Sequence, residues 1–407
     1  MYDVVVIGGG PVGSQVAYKL GGMGYGVLVV DKKERLGEPV CCTGIIGQEC
    51  VGSFAIDEDV VFRKVSGAKV FSPSGKLLSL RRQEPQACIV DRVAFDVSLA
   101  RRAQEKGVEY VLSSPVSNIE VEDGGVKIVI DCPERGSSYI QARAAVIATG
   151  FGSKLAEGLG LGKVGDFIMG AQAEVETKGV EEVEAYLGQE IAPGFFAWLV
   201  PTSPGKALVG LLSRRSPGLY LRRLMSSLQA QGKINSAEAQ LRFGGVPLRP
   251  LARTYGERLI VVGTAAGQVK PTTGGGIYYG MLCADMAAKS LHRALKSDVL
   301  SAQNLANYEK EWKRKLGKEL RVGYWARQLY EMLSDRQIDW IFDIIKSNGV
   351  AEALLKADDL SFDRHGEAVL RLVGHRALSR AFVSMKLPST FLSKFSIIGG
   401  ESRNEQQ

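Results

Sequence analysis

Cysteine and histidine are scarce in this chain: six and three residues out of 407. Cys41, Cys42, Cys50, Cys88, Cys132 and Cys283 form no C-x-x-C pair, and the adjacent Cys41 and Cys42 are poorly placed for an ordinary disulfide. His292, His365 and His375 lack the spacing of a zinc-binding helix, so no metal site is expected. Such cysteine usage suits a reducing, cytoplasmic compartment. No run of eighteen apolar residues exists to span a bilayer, and Tyr2 enters a strand pattern directly, without the charged-then-apolar order of a signal peptide. Long basic blocks are also missing. The net charge of +7 is scattered, so no nucleic-acid partner is expected.

Glycine is what the chain has in excess. Its 48 residues cluster around positions 8–26 and 263–280, as phosphate-binding turns would require. With 45% hydrophobic and 23% charged residues there is material for a folded core, and the length allows two or three domains.

The stretch YDVVVIGGGPVGSQVAYKLGGMGYGVLVVDKK reads as a βαβ unit. Val4 to Ile7 form a continuous apolar strand, as expected when both faces are covered. Gly8, Gly10 and Gly13 supply G-x-G-x-x-G: one for the tight turn, one for close approach of a pyrophosphate, one for helix packing. A helix from about Pro11 to Leu20 turns its N-terminal dipole toward the phosphates. A second strand, Val27 to Val30, ends in Asp31, placed to accept a ribose hydroxyl. Together these features predict a dinucleotide site.

Further along, 68–80 reads as a hairpin turning at Pro73 to Gly75, and 90–111 as strand end, helix and strand. VSNIEVEDGGVKIVIDC is a second hairpin turning at Asp123-Gly124, and ARAAVIATG returns to a buried parallel strand. Residues 167–215 carry long β-like runs suited to an antiparallel sheet. RLIVVGTAAGQVKPTTGGGIYYGMLCADMAAKSL repeats the opening logic, with a helix from about Gly276. From Ala302 to Gly374 the pattern is helical, with Leu316, Leu320, Trp325, Leu329, Leu333, Trp340, Ile341 and Ile344 on one stripe.

Two nucleotide-type turns flanking a β-rich insert suggest one cofactor held from both ends, FAD rather than NAD. At this point the chain resembles the geranylgeranyl reductase family, within the flavoproteins typified by p-hydroxybenzoate hydroxylase, over roughly residues 1–330. VDRVAFD resembles the Arg-x-x-Phe-Asp helix start, whose Arg, here Arg92, would reach the FAD diphosphate or ribityl chain. GTAAGQVKPTTGGGI resembles the second FAD motif, and PGFFAWLVP resembles the narrower reductase pattern Pro-x-x-Tyr-x-Trp-x-Phe-Pro. Phe196 and Val200 replace its Tyr and Phe. The family's Cys-x-Gly beside the flavin ring corresponds to Cys42-Thr43-Gly44. Two departures stand out: Thr264 replaces the Asp of the second FAD motif, and Thr149-Gly150 replaces an Asp-Gly that contacts NADPH in the hydroxylases.

The resemblance implies an α/β fold: a Rossmann-like FAD-binding domain (1–165 with 250–300), an inserted antiparallel β-sheet substrate domain (166–249) and a C-terminal helical region (301–407). It implies FAD contacts at Gly8, Gly10, Val12, Gly13, Asp31, Lys32, Cys42, Gly44, Arg92, Val116, Thr149, Gly150, Gly263, Thr264, Pro271, Gly274, Gly275, Gly276 and Ile277. Cys42 would also be catalytic, with Phe196 and Trp198 lining a hydrocarbon path; Cys50, Cys88 and Cys283 read as small buried residues. The implied reaction is hydride transfer from reduced FAD to an isolated C=C bond of a prenyl lipid or prenyl diphosphate. The electron donor would be NAD(P)H or a ferredoxin-like protein. A monooxygenase of the hydroxylase class is the alternative, and a flavin-binding protein without turnover a further one. Residues 381–398, AFVSMKLPSTFLSKFSII, mix aromatics with lysines as a peripheral membrane contact would, or as a terminal segment docked on the core would.

Overall fold

The strand Tyr2–Ile7 lies at the centre of a largely parallel sheet, and its residues Val4, Val5 and Val6 are wholly buried. It pairs with Val27–Val30 on one side (Val4 opposite Val27) and with Gly136–Ile147 on the other (Ile7 opposite Ile147). The computed structural model describes residues 1–132, 136–347, 349–357 and 361–385. In the sheet, the order is Tyr255–Gly256, Leu259–Val261, Gly136–Ile147, Tyr2–Ile7, Val27–Val30 and Glu109–Val111. The hairpin Val116–Glu122 and Gly125–Cys132 attaches antiparallel to the first half of Gly136–Ile147, turning where Asp123-Gly124 predicts. Helices Arg92–Gln104 and Ile277–Lys296 pack on Pro11–Gly21. A continuous apolar core, including Ile7, Val30, Ile128, Ile147 and Val261, fills the sheet.

By packing, the chain divides into two compact units. One comprises Met1–Val40, Arg92–Phe167 and Gly245–Gly317, and the other comprises Cys41–Asp91, Ile168–Gly244 and the described residues from Lys318 onward. The second is built on a seven-stranded sheet, in the order Arg242–Pro247, Phe167–Glu176, Lys206–Ser213, Phe196–Pro201, Val183–Leu187, Gly67–Phe71 and Leu77–Arg81. Its strands within 167–215 pair antiparallel, as the long β-like runs predict. The sheet is mixed, because the predicted hairpin around residues 68–80 joins it through a parallel pairing of Gly67–Phe71 with Val183–Leu187. The helix Pro217–Ala230 covers one face, burying Leu221, Leu224, Met225 and Leu228 against Ala171, Ala173, Ala197, Leu199, Val209 and Leu211. A small sheet of Ile45–Gly47, Ala87–Val90 and Val61–Val65 belongs to the same unit.

The helical pattern beyond Ala302 resolves into Ala302–Met332, Asp335–Ser347, Val350–Lys356, Gly366–Gly374 and Arg376–Ser384. The expectation of one stripe from Leu316 to Ile344 does not survive. The chain leaves the helix after Met332, so the register restarts, and Trp340 is 42% exposed while Leu329 and Leu333 are buried. Most of the segment read as a membrane contact, from residue 386 on, lies outside the described residues.

Candidate functional site

The first glycine turn sits where Tyr2–Ile7 runs out. Gly8 adopts φ +111°, and a Cβ there would lie 2.5 Å from the carbonyl oxygen of Ala148, so only glycine fits. At Gly13 a Cβ would come within 1.9 Å of the Gly8 carbonyl oxygen; this glycine serves helix-to-turn packing rather than a ligand. Gly10 differs from both. It has ordinary backbone angles, and a Cβ would meet nothing within 4 Å. The space in front of it is part of a cavity of about 700 Å³.

That cavity lies within the first unit. It brings together Gly8, Gly10, Val12, Asp31, Lys32, Arg92, Val116, Thr149, Gly150 and Thr264 from the expected contact set. Asp31 is held by its own turn: Gly9 N–H donates to Oδ2 at 2.6 Å and Lys33 N–H to Oδ1 at 2.9 Å. Both oxygens keep a further lone pair for a ligand hydroxyl. Arg92 donates to Asp96 at 2.7 Å one helical turn on, so its guanidinium is oriented before any ligand arrives. Burial pushes the Asp96 carboxyl above its usual range, with Arg92 pulling in the opposite sense. Thr149 Oγ1 is buried without a hydrogen-bond partner among the described residues, an orphaned group facing the ligand space. A glycine turn open at Gly10, an orphaned hydroxyl and a pre-oriented cation together fit the phosphate and sugar groups of a dinucleotide cofactor.

The second glycine turn belongs to the same unit. A single 3₁₀ turn, Gly263–Ala266, leads through Pro271 and Gly274–Gly276 into the helix Ile277–Lys296. Gly263 (φ +68°) packs on Val12, and Gly274 also takes a positive φ of +77°. Of this stretch Thr264 lines the cavity, whereas Gly263, Pro271, Gly274, Gly275, Gly276 and Ile277 do not. A residue that the spacing did not single out holds the turn. Gln268 is wholly buried; it accepts from Gly263 N–H at 2.8 Å and donates to the Tyr308 hydroxyl at 2.8 Å. Lys33, Asp96, Ser114, Asn118 and Lys154 also line the cavity unforeseen. Asp96 had a signal, being the last residue of Arg-x-x-Phe-Asp.

The remaining site residues fall in the second unit. Phe196 and Trp198 point alike from the strand Phe196–Pro201, with ring centroids 6.1 Å apart, and Phe195 stacks on Phe196 at 5.0 Å. They lie on the sheet face opposite the helix Pro217–Ala230, together with Gly170, Gln172, Gly210 and Leu212. Cys42 reaches this face through its backbone: Gln172 Nε2–H donates to the Cys42 carbonyl oxygen at 3.3 Å. Gly44 follows at φ +72°, its N–H donating to Cys42 Sγ at 3.5 Å. Cys41 packs beside Gly244, and burial pushes its thiol up to about 11, so it stays protonated at neutral pH. Cys41, Cys42, Cys50, Cys88 and Cys283 are all free thiols, the last three buried as read. Among the described residues, no acidic, histidine and cysteine group could hold a metal ion, and no helix is long and apolar enough to cross a membrane.

Comparison with known proteins agrees with this construction. A family model described as lycopene cyclase protein matches residues 3–336. The digeranylgeranylglycerophospholipid reductase of Methanocaldococcus jannaschii is 31% identical over 352 residues, covering 83% of this chain and 89% of that protein. Digeranylgeranylglycerophospholipid reductase 2 of Methanopyrus kandleri is 31% identical over 396 residues, 93% of this chain and 96% of its own. Among solved structures, a geranylgeranyl bacteriochlorophyll reductase-like protein from Thermoplasma acidophilum superposes with TM-score 0.82 at 26% identity, covering 95% of this chain and 98% of that one. The p-nitrophenol 4-monooxygenase of Pseudomonas putida shares the fold alone, with TM-score 0.71 at 19% identity over 92% of this chain and 99% of its own. The chain belongs to the family that the lycopene cyclase model describes and, with relatives 31% identical along most of its length, to the geranylgeranyl reductases.

Proposed function

We propose that this protein is an FAD-dependent reductase that saturates isolated C=C bonds of a prenyl chain. The observation that carries the reading is the face of the second sheet opposite the helix Pro217–Ala230. Phe196, Trp198 and Leu212 make it apolar, and Cys42 is tied to it by Gln172. A prenyl chain gains about 0.8 kcal/mol per buried CH₂ on such a wall, enough to hold an unactivated alkene still.

When bound, FAD supplies a ring that gives up hydride. The chain's residues hold it: Gly10 lets backbone approach the diphosphate, Asp31 accepts a ribose hydroxyl, and Arg92 offsets phosphate charge. Thr149 Oγ1 would find its missing partner on the cofactor's polar chain, and Thr264 would bind it without adding a negative charge. A ring bound near the N-terminus of Ile277–Lys296 would have its negative charge favoured by the helix dipole. Cys42 offers a thiol proton and a small side chain, and the aromatic wall excludes water. Thr149-Gly150 in place of Asp-Gly speaks for a ferredoxin-like donor over NAD(P)H. Because a prenyl lipid resides in a bilayer, the protein works as a peripheral membrane enzyme on the cytoplasmic side.

Chemically reduced holoprotein, mixed without O₂ with a geranylgeranyl lipid, should reoxidise and yield a product heavier by two hydrogens per bond reduced. Product formation only in the presence of O₂, with oxygen incorporated, would establish the monooxygenase instead.

A further inference from the structure

Two polar atoms of the second unit have no role in the reading above. Gln172 is 4% exposed, yet its Oε1 has no hydrogen-bond partner among the described residues. Trp198 Nε1 is likewise buried and unpartnered. The strand register puts both on one line. Gln172 lies opposite Gly210, and Gly210 lies opposite Trp198, so the three positions form a row across three strands on a single face.

Gly210 makes the row usable. A Cβ at Gly210 would lie 2.5, 2.6 and 2.7 Å from Cζ2, Cε2 and Nε1 of Trp198, so the indole N–H edge lies over the glycine. Neighbouring strands are about 4.8 Å apart, which brings that edge to within roughly one strand spacing of the Gln172 backbone. The amide orientation of Gln172 follows from its other contact. Only its NH₂ can face the Cys42 carbonyl oxygen, 3.3 Å away, and that leaves Oε1 turned from it. One unmet acceptor and one unmet donor therefore flank Gly210 in one row of the same face, with the indole seated on the glycine between them. Buried polar atoms are seldom left so, and both are met by a single group that donates and accepts.

We propose that Gln172 Oε1 and Trp198 Nε1 form a hydroxyl-binding notch along the row Gln172, Gly210 and Trp198. The bound O–H donates to the glutamine oxygen and accepts from the indole N–H. A carbonyl or ether oxygen would meet only the indole, and an ammonium only the glutamine. The hydroxyl comes from a water molecule or from a prenyl alcohol; the alcohol source rests on the proposed function, whereas the water source does not. Gln172, spanning this group and the Cys42 carbonyl, is then the positioning residue that ties the ligand's polar group to the Cys42 segment.

The test uses full-length holoprotein with ¹⁵N-indole-labelled tryptophan. Trp198→Phe identifies the Trp198 signal among the four tryptophans. A rotating-frame cross-peak between that signal and water is expected in the free protein if water is the source. Geranylgeraniol should shift the signal and bind roughly tenfold more tightly than its methyl ether, which accepts but cannot donate. Gln172→Met, similar in length but without either polar atom, should erase that preference. A water cross-peak without alcohol preference keeps the notch and names water as its occupant. An indole signal that shows no water contact and ignores the alcohol, with alcohol and ether bound equally, overturns the notch. The wild-type spectra decide even if Gln172→Met fails to fold. A notch that binds hydroxyl in a protein that saturates no prenyl bond would separate the two conclusions.

Discussion

Each unit covers part of its sheet with helices, yet the space each leaves for a ligand differs in kind. The cavity of the first is edged by Asp31, Lys32, Lys33, Arg92, Asp96, Thr149 and Lys154. The face of the second opposite its helix carries Phe196, Trp198 and Leu212, with Gln172 and the Trp198 indole N–H as the polar groups of its central row. Charged, hydrogen-bonding ligand groups are matched to one unit and hydrocarbon to the other. The glycines follow the same division: in the first unit Gly8 and Gly13 admit neighbouring backbone, and in the second Gly210 admits an aromatic ring.

The largest expected effect breaks the first unit. Gly13→Ala drives a methyl to 1.9 Å from the Gly8 carbonyl oxygen, against backbone that cannot yield. Overpacking of that kind costs about 1–3 kcal/mol or more, so the variant should melt several degrees lower and carry no flavin. Gly10→Val should behave differently. Its side chain enters open space, leaving the melting temperature of the flavin-free protein near wild type while abolishing FAD binding. A yellow Gly10→Val protein would remove the cavity from the cofactor site.

Next comes the second unit. Trp198→Ala removes the half-buried wall and should raise the substrate concentration needed by roughly tenfold or more, with the flavin spectrum unchanged. Loss of FAD from this variant would mean that the strand Phe196–Pro201 is core structure only. Cys42→Ser should leave flavin content and lipid binding in place but slow single-turnover oxidation of the reduced protein by a prenyl substrate, because a hydroxyl is far less acidic than a thiol. Wild-type speed would make Cys42 a packing residue.

The two units were not equally legible in the residues. Tyr2 to Asp31 declare a βαβ unit because strand, turn and helix each depend on neighbours within thirty positions, and G-x-G-x-x-G has a backbone reason at each glycine. The antiparallel sheet at 167–215 was readable from its long β-like runs. Their register was not. That Gln172 shares a row with Gly210 and Trp198 depends on a pairing 38 positions apart, for which a single chain carries no local mark. Gln268 escaped for a similar reason, since its partners Gly263 and Tyr308 lie five and forty positions away. The broken stripe after Met332 shows the converse: a 3.6-residue period continues on paper through a two-residue helix break that the period cannot register.

The smallest effect sharpens the contrast through pH. Asp96 in the first unit and Asp339 in the second are shifted in opposite directions. Burial holds Asp96 above its usual value, although Arg92 opposes this. Burial also works to raise Asp339, but hydrogen bonds from the Ser72 and Ser74 hydroxyls, at 2.5 and 2.7 Å, and from Ser74 N–H outweigh it and lower the carboxyl. For Asp96 the folded protein binds its proton more tightly than the unfolded chain does. Its contribution is therefore fullest below the unfolded value near 4 and falls as pH rises through the folded value. For Asp339 the contribution is present above the unfolded value and disappears as pH falls toward the lowered folded one. Urea midpoints of flavin-free protein, measured from pH 3 to 7 for wild type, Asp96→Asn and Asp339→Asn, read the two slopes directly. Relative to wild type, the Asp96→Asn variant should gain ground as pH rises and the Asp339→Asn variant should lose it. Parallel curves for all three proteins would mean that neither carboxyl is shifted by its unit, and the polar character assigned to the first cavity would lose its electrostatic support.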